Sequence, residues 1–177
     1  MLYQIHILIF MTMITNELIF DFNQQNSNSD WVILDDVVMG GRSYGNFKIN
    51  KNGHGQFFGT ISTENNGGFS LVRYRLDKKD LEKYSKFIIT VKGDGKAYQF
   101  RVKNNQNDSH SYISTFQTTS NWQKIEIPFS KMYPAFRGRK LDMKAYQGKQ
   151  LQELAFLIGN KKAENFLLEI DKIEIIK

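Results

Sequence analysis

The sequence predicts an all-β fold, an antiparallel β-sandwich or barrel with at most one or two short helices, and three observations carry the prediction. About ten short runs of β-branched and aromatic residues follow one another, each closed by glycine, asparagine, aspartate or serine. Hardly any stretch repeats its apolar residues at the helical period. Aromatic residues make up 14% of the chain and prolines number only 2, a balance that favours paired strands over disorder. At 177 residues, with 41% hydrophobic and 24% charged side chains, the chain suits one domain with a real core.

The opening MLYQIHILIFMTMI is apolar but falls short of the ~20 residues of a membrane helix, and it lacks the basic lead and cleavage site of a signal peptide. Residues 1–17 therefore read as poorly structured or as extra residues upstream of a start at Met11 or Met13, and 18–177 as a single sandwich domain with no membrane span. Leu18 to Phe22 is the first strand and Gln24 to Asp30 a polar loop. WVILDD, from Trp31, empties into a loop holding Gly40-Gly41. GNFKINK ends at Asn52-Gly53, a two-residue hairpin signal leading into GQFFGTIS, which empties into Glu64-Asn65-Asn66-Gly67-Gly68-Phe69. Phe69 to Leu76 alternates as a long strand does, and Lys78 to Tyr84 is the place for a helical turn or two. KFIITV and KAYQFRVK flank Gly93-Asp94-Gly95 and are expected to pair as a hairpin. No helix follows Gly95, so these glycines are not a phosphate loop. SYISTFQT, WQKIEIPFS, ELAFLIGN and NFLLEIDKIEIIK complete the strands, with an irregular piece before ELAFLIGN that carries Arg137, Arg139 and Lys140. In the last strand Phe166, Leu168 and Ile170 differ in parity from Ile173 and Ile175. Burying all five requires a β-bulge near Asp171-Lys172.

Several chemistries are narrowed at once. Cysteine is absent, which excludes disulfides, thiolate metal sites and thiol nucleophiles. The net charge of +6 is spread along the chain and reads as a solvated surface, so no nucleic-acid partner is expected. His6, His54 and His110 are far apart, with no metal-spaced pair and no nucleophile elbow, so neither catalysis nor a cofactor is expected. Glu169-Ile170-Asp171-Lys172-Ile173-Glu174 looks like the carboxylate motif of retaining β-glucanases, but it stands three residues from the end of the sequence and reads better as the bulge.

The glycine-rich loops are the candidate site. If they share one end of the sandwich, Asp35, Asp36, Arg42, Glu64, Asn65 and Asn66 converge, and free amides of the paired glycines would receive an anion or a partner's carbonyl. In the competing reading these are tight turns, Met39 and Phe69 plug the core, and Asp36 pairs with Arg42 or Arg73. The partner- or ligand-binding candidates are thus Asp35, Asp36, Met39, Arg42, Glu64, Asn65, Asn66, Arg73, Arg137 and Arg139.

Read together, W-x-x-x-D-D-x-V-M-G-G-x-S from Trp31 and F-x-G-x-x-S-x-E-N-N-G-G-F from Phe57 closely resemble the signature of the complex I intermediate-associated protein 30 family. The likeness continues through V-K-G-D-G-x-x-Y (Val91 to Tyr98), W-Q-K-I-x-I-P-F (Trp122 to Phe129), F-R-G-R (Phe136 to Arg139) and F-L-L-E-I-D-K-I (Phe166 to Ile173). The resemblance implies a jelly-roll sandwich of the galactose-binding type and no established catalysis. It implies a protein client, as for the mitochondrial members that assist assembly of respiratory complex I. The chain lacks an Arg- and Ser-rich transit peptide, so it is expected in the cytoplasm. Because carbohydrate-binding modules share the jelly roll, a glycan is the alternative ligand.

Overall fold

The computed structural model describes residues 16–24 and 30–177, apart from the side chains of residues 24, 38 and 39. The expectation that residues 1–17 are poorly structured or extra, and the polar loop from Gln24 to Asp30, fall largely outside those described residues. Among the described residues thirteen strands form two antiparallel sheets, and the only helical pieces are 3-10 turns of three or four residues. The strands are β1 (Glu17–Asp21), β2 (Trp31–Asp35), β3 (Tyr44–Ile49), β4 (Gly55–Ile61), β5 (Ser70–Asp80), β6 (Lys86–Gly93), β7 (Ala97–Lys103), β8 (Ser111–Gln117), β9 (Gln123–Pro128), β10 (Tyr133–Phe136), β11 (Arg139–Lys140), β12 (Gln150–Ile158) and β13 (Glu164–Ile176). One sheet runs β3-β4-β13-β6-β9 with β1 also on β13; the other runs β11-β10-β8-β7-β12-β5-β2. No helix among the described residues is long and apolar enough to cross a membrane.

The core follows from strand alternation. In β7, Tyr98, Phe100 and Val102 are buried between the sheets, and Gln99, Arg101 and Lys103 face outward. Trp31 stacks on Phe47 and Tyr74 and meets Phe20 edge-on at one end of this core; Phe87, Phe129 and Tyr146 cluster at the other. The β13 bulge is present, with the register shifting between Ile170 and Lys172, and Phe166, Leu168, Ile170, Ile173 and Ile175 are all buried. That shift lets the first half of β13 pair with β4 and the second half with β1.

Three local expectations are corrected. Lys78 to Asp80 extends β5 instead of forming a helix, because Lys79 and Asp80 still have ladder partners in Leu151 and Gln150. The Asn52-Gly53 turn is a five-residue loop, residues 50–54, pinned by the Asn50 carbonyl oxygen Oδ1, which accepts from the amides of Asn52 at 2.9 Å and His54 at 3.1 Å. Gly93-Asp94-Gly95 does not close a hairpin: β6 and β7 lie in different sheets, and the turn is a corner between them. Asp94 fixes that corner by accepting from Lys96, the Tyr98 hydroxyl and the Leu167 amide, and Gly93 leaves room for Thr118, which would lie 2.4 Å from an added Cβ.

Candidate functional site

β2 and β5 are neighbours, so the loop that leaves β2 and the loop that enters β5 meet at one end of the sandwich. Asp36, the first residue of the 3-10 turn Asp36–Met39, joins them. It is fully buried, and its carboxylate accepts from the Ser43 amide at 3.0 Å, the Ser43 hydroxyl at 2.6 Å, the Phe69 amide at 3.2 Å and the Gly68 amide. Burial alone would raise its pKa. The bonds from the Ser43 hydroxyl and the Gly68, Ser43 and Phe69 amides outweigh burial and hold the carboxyl below its ordinary range.

The glycine pairs make room for this carboxylate. A Cβ on Gly41 would lie 2.3 Å from the Asp36 carboxyl carbon, and one on Gly67 would lie 2.5 Å from its oxygen. The amides that sequence offers to an outside anion are occupied within the chain: Gly68 donates to the Asp36 carboxylate, Gly41 to the Asp36 main-chain carbonyl, Gly40 to the Val37 carbonyl and Gly67 to the Glu64 carbonyl. One residue earlier, Asp35 accepts from the Gly45 amide at 3.0 Å and the Ser70 hydroxyl at 2.6 Å. Asp36 pairs with neither Arg42 nor Arg73; Arg42 bridges Glu64 at 2.7 Å and Arg73 turns to Glu153.

Above the buried carboxylate stands an exposed rim. The Arg42–Glu64 pair spans the two loops, and the Asn65 side chain donates to the Gly40 carbonyl at 3.0 Å. Asn65 and Asn66 hold left-handed backbone angles, φ 54° and 58°, which asparagine tolerates better than most residues. Met39 closes the 3-10 turn, and its side chain lies outside the described set. So the structure brings Asp35, Asp36, Arg42, Glu64, Asn65 and Asn66 together. Arg137 and Arg139 it places elsewhere, on the β10–β11 hairpin, at the opposite edge of the seven-stranded sheet from β2.

Arg73 belongs to a second cluster that sequence reading did not assemble. On the outward face of the seven-stranded sheet, Lys103, Glu153 and Arg75 share one cross-strand row. Arg101, Ala155 and Arg73 form the next row, and Gln99, Leu157 and Leu71 the third. Glu153 has 8% of its side chain exposed and lies 3.1 Å from Arg75, 3.7 Å from Lys103 and 3.9 Å from Arg73. The signal was in the alternation of YQFRVK and LVRYR, whose basic residues share one parity, but only the sheet order shows that β12 lies between them.

Among the described residues no cluster of three or more carboxylate or imidazole groups could hold a metal. Glu169 and Glu174 both lie opposite the buried parity of β13, but their ladder partners on β6, Lys92 and Ile88, are four residues apart. That spacing is about 13 Å along a strand, beyond the ~5 Å of a retaining carboxylate pair. Of the Trp and Tyr rings that would serve a glycan platform, Trp31 and Tyr112 are buried, whereas Trp122 is 41% and Tyr44 65% exposed.

A family model described as complex I intermediate-associated protein 30 matches residues 20–170. The mitochondrial complex I intermediate-associated protein 30 of Mus musculus is 24% identical over 183 residues, taking in 89% of this chain and 55% of the relative. Its counterpart in Drosophila melanogaster is 25% identical over 182 residues, taking in 89% of this chain and 62% of the relative. The chain thus spans little more than half the length of the curated relatives it matches. Among solved structures, a family 11 carbohydrate-binding module of a Clostridium thermocellum cellulase superposes at TM-score 0.66 with 20% identity, over 92% of this chain and 95% of the module. An exo-β-agarase superposes at 0.57 with 11% identity, over 89% of this chain and 24% of the enzyme. At these identities the likeness is one of fold, the two-sheet sandwich.

Proposed function

The chain belongs to the complex I intermediate-associated protein 30 family, and from that membership we propose that it is a non-enzymatic, protein-binding sandwich that holds a partner during assembly of a respiratory or other membrane-associated complex. The observation that carries this reading is the Asp36 latch. A charge satisfied inside the protein fixes two loops, so the rim of Arg42, Glu64, Asn65 and Asn66 is ordered before any partner arrives and less entropy is lost on binding. The spacing of Glu169 from Glu174 supports the non-enzymatic part. A glycan ligand has less support, since Trp31 and Tyr112 are buried, although Trp122 and Tyr44 are open.

Affinity capture from host membranes, with wild type beside an Arg42→Ala, Asn66→Gly variant, tests the proposal. Glycine keeps the left-handed angle of Asn66, so the variant removes the rim without straining the loop. Wild type is expected to recover subunits of a respiratory complex and the variant to lose them. Recovery of no protein partner overturns the reading and turns attention to a glycan array; full retention by the variant overturns the rim as the site. The relatives' names place them in mitochondria, and cell fractionation decides whether this chain shares that compartment or resides in the cytoplasm.

A further inference from the structure

Among the described residues, the outward face of the seven-stranded sheet carries more cations than carboxylates. Arg101 spends its Nε and Nη2 on the neutral oxygen of Gln99, at 2.9 and 2.6 Å, and no carboxylate among the described residues pairs with it. Burial pulls its pKa below the usual range, with Tyr133 partly opposing. Arg73 Nε is buried with no acceptor at all. Lys140 adds a further cation at the β10–β11 edge, its Nζ 5.6 Å over the Tyr133 ring. The acids nearest these cations are Glu153, already shared among Arg73, Arg75 and Lys103; Asp30, which lines a pocket of about 260 Å³ with Val32, Arg73 and Arg75; and Asp77, two residues past Arg75 on β5.

The rows show what is missing. In one row Glu153 stands on the central strand β12 with Lys103 and Arg75 on either side. In the next row the flanking cations are again present, Arg101 and Arg73, but the central residue is Ala155, 3% exposed and without a charge. The central residues Glu153, Ala155 and Leu157 face outward yet are all buried, so the flanking side chains lie over them, and the trough along β12 is the line where the two flanking rows meet. The third row is apolar on one side: Leu157, Leu71 and, on β2, Leu34.

We infer that this trough takes an extended acidic peptide segment of a protein partner, with one carboxylate over Ala155 between Arg101 and Arg73 and an apolar side chain two residues on, over Leu157 and Leu71. Spacing selects the class. Rows on one face of a strand repeat every ~7 Å, the same interval that separates alternate side chains of an extended peptide, so one segment lying along β12 meets successive rows. The Cα atoms of the flanking residues are ~10 Å apart across two strand spacings, a span that two arginine side chains leaning inward narrow enough for one carboxylate to accept from both. Tyr133, a ring beside the cations on this face, already faces Lys140, which makes it a poor stacking platform for a sugar. The inference rests on the protein-binding reading only in choosing a peptide as occupant.

The test is fluorescence anisotropy with a labelled octapeptide of sequence Ser-Glu-Thr-Leu-Ser-Glu-Thr-Leu and its counterpart with glutamine for both glutamates. Wild type is expected to bind the glutamate peptide, more tightly as salt falls, and the glutamine peptide roughly tenfold or more weakly. Arg101→Gln is expected to lose about as much, since it removes one of the two bridging guanidinium groups. Ala155→Glu supplies the absent carboxylate in cis and is expected to abolish binding; near-UV circular dichroism establishes that both variants are folded. No binding of the glutamate peptide by wild type, equal binding of both peptides, or unchanged binding by folded Arg101→Gln would each overturn the assignment. So would loss in Arg101→Gln of a mixed-linked β-glucan tetrasaccharide that wild type binds, with the peptide unaffected. Capture from the host fails independently: peptide binding without respiratory subunits refutes the client and leaves the trough, and subunits retained by Arg101→Gln refute the trough and leave the client.

Discussion

Two polar clusters, one in the loops at the end of β2 and β5 and one on the outward face of the same sheet, differ in bookkeeping. At Asp36 one buried carboxylate meets four neutral donors from two loops, and no charge is left over. In the trough, guanidinium groups on β5 and β7 outnumber their acceptors, and Arg73 Nε has none. The lesson concerns which polar signals point outward. A loop rich in glycine, asparagine and aspartate looks like a ligand cradle, yet here the anion it cradles is part of the chain, and its contribution to binding is to hold the rim. A run of alternating strand residues looks like plain surface, yet it leaves charge without a partner.

The comparison breaks most visibly at Asp36. Asp36→Ala leaves three amides and the Ser43 hydroxyl facing a void, and is expected to cost about 3–5 kcal/mol, read as a fall in urea midpoint at unchanged m-value. Arg101→Gln, by contrast, removes a cation that has no carboxylate to lose and leaves the midpoint nearly in place. Acid sharpens the contrast. The Asp36 pKa is lower in the folded than in the unfolded protein, so its stabilising effect is complete above the ordinary value of 3.8 and is lost as pH falls through the folded value. The difference in midpoint between wild type and Asp36→Asn should therefore shrink between about pH 6 and about pH 2.5, and a constant difference would assign the latch to shape alone.

The next effect separates the two glycines of one pair. Gly40 has φ +89° and open space around its absent Cβ, whereas Gly41 has ordinary backbone angles and the Asp36 carboxyl carbon 2.3 Å from where a Cβ would stand. Gly40→Ala pays only for the left-handed angle, about 1 kcal/mol. Gly41→Ala must displace a carboxylate held by four bonds, and about 2–3 kcal/mol is expected. Equal costs would show that Asp36 can move aside.

Strand order explains how much of this was readable. Alternation is local, so the strands, the inward aromatics of β7 and the β13 bulge were legible from parity alone. The meeting of the two glycine-rich loops was legible as a conditional, because it depends on β2 lying beside β5. What sequence could not supply is adjacency across the sheet. Gly93-Asp94-Gly95 has hairpin composition and is a corner, since Asp94 binds Lys96, Tyr98 and Leu167 in place of a β6–β7 ladder. The basic hairpin at Arg137 and Arg139 shares charge with the rim but stands at the far edge of the sheet. The trough needed β7, β12 and β5 in that order, a fact spread over eighty residues of chain.

The smallest stability effect carries the most functional information. Arg42 and Glu64 are 68% and 62% exposed, so their 2.7 Å bridge competes with water and salt, and Arg42→Ala is expected to change stability by less than about 1 kcal/mol. The latch beneath it is made wholly by Asp36 and neutral donors, whereas the Arg42 side chain pairs with Glu64, so the loops should keep their positions and amide exchange at Gly68 and Phe69 should stay slow. If the rim is a contact surface, this nearly silent variant still loses captured partner. If instead Arg42→Ala speeds exchange at Gly68 as much as Asp36→Asn does, the bridge is part of the latch, and the division between a closed structural cluster and an open rim fails at that residue.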